Sequence, residues 1–580
     1  MVSARKILID ACLIILSVVS LAAPFQQVGA SVNCSSSASA AWKVCGPIEA
    51  YPGFDLQPAV LSALDGSISL AWMANHDPSG GLTSNFNILY ATRLSNGTWL
   101  PPSFATTQGG TNQMPSLAQT SDGTIYMFWS YQSITSTHSQ IFYRTLKAGT
   151  WSAYTQVTST ASMNDTYPST AVGRDGTLWL VWTRDNDTAS GTTPVMRQLV
   201  YKTLKYGVWS QETSITSASD INWNWQPSVM VGKDGIERLV FAKGQSSTGR
   251  YQINYVTNNG NGWSPPSPVV SICNGTSCSG DVNPSIMQDR NGTLWLFWSR
   301  NIIVSSTQST FVVYSKYSVD GGAHWNSAET ALTTVSCGTS SCVDSQYPAA
   351  VQSNNVGIDQ NIWIFYSTDP SVTGFDIWGL KTTNPISPIH DVAVSLIGLS
   401  SYPGFWYPGG FPAIGQSANL TVNVTVKNLG DFSENVAVTL AITNSTTYSL
   451  GPTSLQLSAS ASGVVSFKWK TVFDGTRPGW YGISAAAANV PGESLGNTPD
   501  NSMTLARFVH VLPPGDVDQD GSTTAIDVSQ IKYAYGAQPC SVHPENPICY
   551  LYNPYFDISG SGTVDAVAVS VAIAHYGIFT

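Results

Sequence analysis

Residues 168–182 read PSTAVGRDGTLWLVW: an extended segment, a turn and a second extended segment. Asp175-Gly176 is a strong short hairpin signal, because both residue types tolerate positive φ. Leu178 to Trp182 are apolar, aromatic or β-branched throughout, the pattern of a strand buried on both faces. Close copies stand at 115–129 (PSLAQTSDGTIYMFW) and 284–298 (PSIMQDRNGTLWLFW). The opening proline recurs at Pro58, Pro115, Pro168, Pro227, Pro284 and Pro348, at spacings of 57, 53, 59, 57 and 64 residues. Self-similarity at such a period marks a repeat architecture.

A second motif follows within each unit: an extended segment, a glycine turn and a tryptophan. IFYRTLKAGTWS (141–152), LVYKTLKYGVWS (199–210) and VVYSKYSVDGGAHWN (312–326) are examples. Trp99, Trp151, Trp209, Trp263 and Trp325 mark five units, each supplying the four short strands of a propeller blade. Trp42 precedes Pro58 by 16 residues, as Trp99 precedes Pro115, while the last unit stops near Leu380. The N-terminal strand is therefore expected to complete the last blade, closing six blades over residues 31–386.

Ser318-Val-Asp320-Gly-Gly-Ala-His-Trp325 fits the S-x-D-x-G-x-x-W Asp-box, and turns such as Ser95-Asn-Gly-Thr-Trp99 are degenerate versions. The unit array thus resembles the sialidase and BNR-repeat family over about 350 residues. In that family the Asp-box is a structural turn. The resemblance implies three arginines clamping a carboxylate, a Tyr/Glu nucleophile pair and an Asp acid/base. Its first arginine stands in an R-I-P segment, where this chain has Leu56-Gln57-Pro58. That departure argues against sialidase activity proper.

Three residues before each blade proline stand Asp55, Asn112, Asp165, Asn224, Asp281 and Ser345, with Asp344 beside the last. These positions predict a ring of carboxylates and amides at the face where the innermost strands begin. Neighbouring loops add His76, Asp77, Arg184, Asp185, Asp187, Trp223, Trp225, Arg250, Arg300 and Tyr347. Such a ring suits a polyhydroxylated sugar or a cation, with Trp223 or Trp225 stacking on a pyranose. Asp165 and Asp281 are the candidate acid/base pair for glycoside hydrolysis. The bland alternative is that short side chains at strand starts cap turns.

Composition agrees with a large, multi-domain extracellular chain. Of 580 residues only 10% are charged, against about 25% in a typical soluble domain, while 11% are aromatic. That aromatic content excludes disorder. A net charge of −10 without a basic block argues against nucleic-acid binding. Residues 1–30 read as a secretory signal peptide, with Arg5 and Lys6 before the apolar run Ala11 to Ala23. No second apolar run of spanning length follows, so no integral membrane segment is expected after cleavage. Removing the signal leaves eight cysteines in four close pairs, predicted as disulfides: Cys34–Cys45, Cys273–Cys278, Cys337–Cys342 and Cys540–Cys549. Nine N-x-[ST] sequons, from Asn33 to Asn444, permit glycosylation.

Beyond about His390 the pattern changes. DVAVSLIGL (391–399), ANLTVNVTVKNLG (418–430), VAVTLAI (436–442), GVVSFKWKT (463–471), GWYGISAAA (479–487) and MTLARFVHV (503–511) alternate apolar and polar residues. Residues 387–512 are expected to form an immunoglobulin-like β-sandwich. VTVKNLG and GESLGNTPDNS resemble the CARDB-type adhesion module, whose role is binding or spacing.

Residues 513–580 carry an EF-hand-type loop. Asp516, Asp518, Asp520 and Asp527 occupy positions 1, 3, 5 and 12, Gly521 the turn and Ser522 position 7. Calcium takes six to eight oxygen ligands, and this spacing supplies them. A second copy offers Asp557, Ser559, Ser561, Thr563 and Asp565, with Ala568 at position 12, and is expected to be weak or vacant. Each copy runs into a short helical segment. The duplicated loop-helix resembles a dockerin, which implies Ca2+ and a cohesin-type partner.

The expected whole is mostly all-β: six-bladed propeller, sandwich and small α-helical calcium module. The leading functional reading is a secreted or surface-held protein that recognises a glycan or a cell-surface glycoprotein and is tethered through its C-terminus. A glycoside hydrolase or polysaccharide lyase is the competing reading, and a structural envelope protein the third.

Overall fold

The computed structural model describes residues 34–577 apart from 37–39, 50, 161, 186–196, 218–222, 246–249, 272, 274–276, 340, 354–359, 371–373, 384–388, 402–404, 408–410, 415–418, 472–477, 514, 519–521, 553–555, 559–561 and 575. The proposed signal peptide, Asp187, Asp520, Ser559 and Ser561 lie outside the described residues. Six antiparallel sheets of four or five strands form the six blades of a β-propeller. Blade 3 is typical: Asn164–Val172 innermost, then Leu178–Asp185, Arg197–Lys205 and the short outer strand Val208–Trp209. Blade 6 takes three strands from one end of the chain, Ser345–Gln352, Ile362–Thr368 and Asp376–Thr382. Its fourth, Trp42–Glu49, comes from the other end, and Trp42 pairs with Thr382.

Each outer tryptophan drives its edge against an aromatic ring of the preceding blade, with near-perpendicular planes. Trp99 meets Phe365, Trp151 meets Tyr90, Trp209 meets Phe128, Trp263 meets Trp179, Trp325 meets Tyr255 and Trp42 meets Phe297. Ring centroids are 5.3–6.1 Å apart, within the favourable edge-to-face range. Nearer the axis, the serine after the blade proline ties one innermost strand to the next. Ser169 Oγ accepts from Val229 N (3.0 Å), Ser228 Oγ from Ile286 N (3.1 Å) and Ser285 Oγ from Ala350 N (3.2 Å). The Pro-Ser pairs of the repeat are thus inter-blade clasps.

The residue before every blade proline is left-handed. Gln57, Met114, Tyr167, Gln226, Asn283 and Tyr347 have φ of 55°, 57°, 52°, 53°, 53° and 59°. Each sits where the register between first and second strands slips by one residue, a β-bulge. A pre-proline residue ordinarily prefers extended backbone. Six departures of roughly 1–3 kcal/mol each persist only because the ring over-determines them.

Residues from His390 form two packed sheets. One holds Val392–Ser401, Asn419–Asn428 and Ser462–Lys470. The other holds six strands, including Glu434–Thr443, Gly479–Ala487 and Ser502–Val511. The alternating apolar residues, among them Val422, Val424, Val438, Leu440 and Ile483, make their common core. The C-terminal module contains α1 (Ala525–Tyr533) and α2 (Ala566–Ala574). Its two halves repeat 41 residues apart, Asp516 to Asp557, and cross-pair: Gly536 N donates to Val564 O (2.7 Å) and Gly577 N to Thr523 O (2.8 Å). All four cysteine pairs form disulfides, the chemistry of an oxidising compartment. Among the described residues no helix is long and apolar enough to cross a membrane.

Trp42 is 5% exposed and packs on Trp295 and Phe297 across the ring closure. Trp42→Ala is expected to lower stability by about 3–5 kcal/mol in urea denaturation. A loss below about 1 kcal/mol would show that the ring does not depend on this closure.

Candidate functional site

The upper face, where the innermost strands begin, has a different character from the one the ring of carboxylates suggested. Asp55, Asn112, Asp165, Asn224 and Asp281 are fully buried. Four of them accept a hydrogen bond from an indole 17 residues on: Trp72 to Asp55 (2.7 Å), Trp129 to Asn112 (2.9 Å), Trp182 to Asp165 (2.9 Å) and Trp298 to Asp281 (2.7 Å). Arg184 forks onto Asp165 at 2.7 and 2.9 Å and reaches Glu212 at 2.8 Å. Arg300 repeats this on Asp281 at 2.7 and 3.1 Å, with Glu329 at 2.7 Å. His76 Nε2 lies 2.8 Å from Asp55 Oδ1. Burial raises the Asp55 and Asp281 carboxyls above the ordinary range, against the pull of His76 and Arg300.

These contacts correct the expected site. Asp165 and Asp281, the candidate catalytic pair, are braces sealed inside blades 3 and 5. Asp55, Asn112 and Asn224 are equally buried, and Arg184 and Arg300 are each neutralised by two carboxylates. The Asp165 and Asp281 carboxylates, with lone pairs and charges already matched, have nothing left to offer a substrate. Ser345 is also buried, and Asp344 accepts from Phe311 N (2.9 Å) while its own N–H donates to Asp369 Oδ1 (2.5 Å).

What converges on the axis is the set of left-handed residues. Asn283 N donates to Gln226 Oε1 (2.9 Å), Gln226 N to Thr183 Oγ1 (3.2 Å) and Tyr347 N to Ser299 Oγ (3.1 Å). Burial pushes the Tyr347 phenol up to about 12 and raises Tyr167 further, so both stay protonated. The sequence reading took in Tyr347 but passed over Gln57, Tyr167, Gln226 and Asn283. Their signal was their place one residue before each proline.

Beside this floor, between blades 3 and 4, lies an aromatic cluster. The Arg197 guanidinium stands 4.8 Å over Trp225 and 5.6 Å over Trp223, and its Nη1 donates to Tyr251 Oη (3.4 Å). Arg197 Nε is 3.5 Å from Asp185 Oδ2. Tyr167 meets Trp225 edge-on at 5.2 Å. Trp225 is 5% exposed, whereas Trp223, Arg197 and Tyr251 are half-buried. Across the same face, blade 6 contributes Asp369 and Asp376, which the sequence reading missed. Burial pushes them up to about 6 and about 7, with Asp344 and Asp55 as their respective like-charged neighbours.

In the C-terminal module Asp516, Asp518 and Asp527 bring one carboxylate oxygen each within 4.8 Å of one another. Three like charges so close repel unless a cation or protons sit among them. Asp527 also closes the capping box of α1: Thr524 N donates to Oδ2 (2.7 Å) and Val517 N to Oδ1 (2.8 Å). The second half differs. Asp565 caps α2 through Ala568 N (3.0 Å), and Asp557 accepts from Gly562 N (2.7 Å) and Tyr552 Oη (3.2 Å). Ala568, where the first half has Asp527, lies in the module's core.

Fold and sites together define a six-bladed β-propeller followed by a β-sandwich and a small helical module. No family model matches the chain, nor does any curated protein. Among solved structures it is similar to a protein of unknown function from Dyadobacter fermentans, at 14% identity and TM-score 0.44, covering 58% of this chain and 96% of that one. It is similar also to the α-L-arabinofuranosidase of Fusarium graminearum (13%, TM-score 0.39, covering 57% and 98%). A Trypanosoma rangeli sialidase mutant displaying trans-sialidase activity aligns at 8% and TM-score 0.39, covering 83% and 91%. Likeness at this level carries neither substrate nor mechanism to this chain.

Asp165→Ala removes the forked partner of Arg184 and leaves it only Glu212, and Asp281→Ala likewise leaves Arg300 only Glu329. Each is expected to cost about 3–5 kcal/mol of stability in chemical denaturation, as breaking a buried pair does. Wild-type stability in both variants would return these carboxylates to the list of functional groups.

Proposed function

We propose that the propeller is an extracellular carbohydrate-recognition module that binds its glycan at the upper face, between blades 3 and 4. The observation that carries this reading is the half-buried wall of Trp223, Tyr251 and Arg197 beside an uncharged floor of amides and phenols. An aromatic face takes the apolar side of a pyranose, while the half-buried Gln57, Tyr167 and Tyr347 offer the donors and acceptors that hydroxyl groups need. The sandwich, which resembles a CARDB-type module, presents the propeller away from its attachment. The C-terminal module is dockerin-like: Asp516, Asp518 and Asp527 suit a hard cation, Ca2+, and its helices face a cohesin-type partner. The second half holds no calcium in this reading, because its acid has moved to the helix cap. A signal peptide at residues 1–30 and the four disulfides support secretion.

A second reading, a glycoside hydrolase, is favoured by Asp369 and Asp376. Acids that hold a proton near neutrality are what protonation of a leaving sugar oxygen requires.

A glycan array on the full chain, with product analysis of every bound glycan, separates the two. Binding without cleavage, weakened about tenfold by Trp223→Ala, supports the lectin reading. Release of reducing ends, abolished by Asp376→Asn, supports the hydrolase, and unaltered binding by Trp223→Ala overturns the proposed site. Calcium titration of the full chain is expected to find one site, lost in Asp527→Ala and kept in Asp557→Ala. A stoichiometry of zero or two contradicts this account of the module.

A further inference from the structure

On the lower face of the propeller, blades 3, 4 and 5 meet the sandwich, and the repeat itself encodes the contact. The turns between first and second strands read Ala63-Leu-Asp-Gly, Thr120-Ser-Asp-Gly, Gly173-Arg-Asp-Gly, Gly232-Lys-Asp-Gly and Asp289-Arg-Asn-Gly in blades 1 to 5. Their second position is exposed Leu64 or Ser121 in blades 1 and 2, and a cation in blades 3, 4 and 5. All three cations cross to the sandwich. Arg174 donates to the main-chain oxygens of Val394, Asp500 (2.6 Å) and Ser502 (2.9 Å). Lys233 Nζ donates to Asp391 Oδ2 (2.7 Å) and Asn497 Oδ1 (3.0 Å). Arg290 donates to Leu429 O (2.7 Å) and lies 3.3 Å from Asp431 Oδ1. At Gly292 the two backbones approach so closely that a Cβ would fall 2.3 Å from Gly496 O.

We propose that this seam is a proton-linked latch, in which Asp500 takes up a proton as the sandwich closes on the propeller. The argument is one of charge and partners. Five acids, Asp289, Asp391, Asp431, Glu493 and Asp500, meet three cations, Arg174, Lys233 and Arg290; Asp289 is satisfied within its own blade, accepting from Asn291 N, Thr293 N and Trp295 Nε1 (2.9 Å each). Farther along the same surface, Asp234 is paired with Arg238 (2.6 Å) and Glu434 with His390 (2.6 Å). Asp431 is matched by Arg290, Gln360 Nε2 (2.8 Å) and Ile389 N (2.9 Å). Glu493 accepts from Val392 N, Val490 N and Asn501 Nδ2 (3.1, 3.1 and 2.9 Å). Asp391 has Lys233. Asp500, 3% exposed, has no cation within ion-pairing distance among the described residues, and its Oδ1 is buried without a hydrogen-bond partner. The two cations whose charge it feels are engaged elsewhere, Lys233 by Asp391 and Asn497 and Arg174 by carbonyl oxygens. An isolated buried carboxylate is costly and neutralises.

Burial accordingly pushes Asp500 up to about 7, with Asp391 adding repulsion, and pushes Asp391 up to about 6. With the seam open, water returns both to the ordinary range near 3.9. The closed state therefore binds the extra proton. Closure strengthens as pH falls below about 7 and weakens about tenfold per pH unit as pH rises from about 5 to about 7, levelling off above.

Hydrogen exchange of the full chain, corrected for intrinsic rates, reads this directly at the turns 173–177, 232–236 and 289–293 and at strand 391–401. Opening there is expected to rise about tenfold per unit between pH 5 and pH 7, while the turns of blades 1 and 2, at 63–66 and 120–123, stay unchanged. Asp500→Asn, neutral at every pH, is expected to remove the slope between pH 6 and pH 7, leaving below pH 6 only the part that Asp391 carries, and to keep the seam protected at pH 8. Protection independent of pH, protection growing as pH rises, or an unchanged slope in Asp500→Asn each overturns the latch. Should the variant fail to fold, the wild-type profile, referenced to the turns of blades 1 and 2, still decides.

Discussion

Each blade is held to the one before it by the edge of an outer tryptophan set against an aromatic ring, and the six contacts form a closed cycle. A propeller has no single core. Every sheet buries one face on each neighbour, so stability depends on repeating one good contact without a break. Closure makes that demand hardest at Trp42, which comes from the opposite end of the chain from the rest of blade 6. Phe297 receives it as Phe128 receives Trp209, and the ring gains no exposed edge at its outer seam.

The same economy explains the sparse charge. Asp165 with Arg184 and Glu212, and Asp281 with Arg300 and Glu329, are matched sets inside alternate blades. The remaining inner positions use uncharged or singly paired groups. Another set of charges, Arg174, Lys233 and Arg290, joins propeller to sandwich from identical places in three successive turns. Much of what charge this chain carries therefore joins parts of itself, and the upper face is left to aromatics, amides and a few raised carboxyls.

Legibility followed locality. Hairpin glycines, the Asp-box at Ser318–Trp325 and the blade prolines are local signals, and they yielded the blades and their number. The clustering of Asp516, Asp518 and Asp527 was equally legible, because the three carboxylates come from one short stretch of chain. The reading of Asp55, Asp165 and Asp281 as part of a ligand-holding ring left out their burial. Position at a strand start says which end of a blade a residue occupies, but not whether an indole 17 residues on covers it. The left-handed Gln57, Tyr167, Gln226 and Asn283 went unnoticed because a residue before proline is expected to be extended.

By itself the sequence determined the repeat, the blade count, the β-rich architecture and the local carboxylate spacing, since each follows from periodicity and turn chemistry within a few dozen residues. Only the tertiary structure decided which carboxylates are braces, which side chains meet on the axis, and that three turn cations clamp the sandwich. Those outcomes turn on desolvation and on partners drawn from distant blades, and neither burial nor partnership is written in any one stretch of chain.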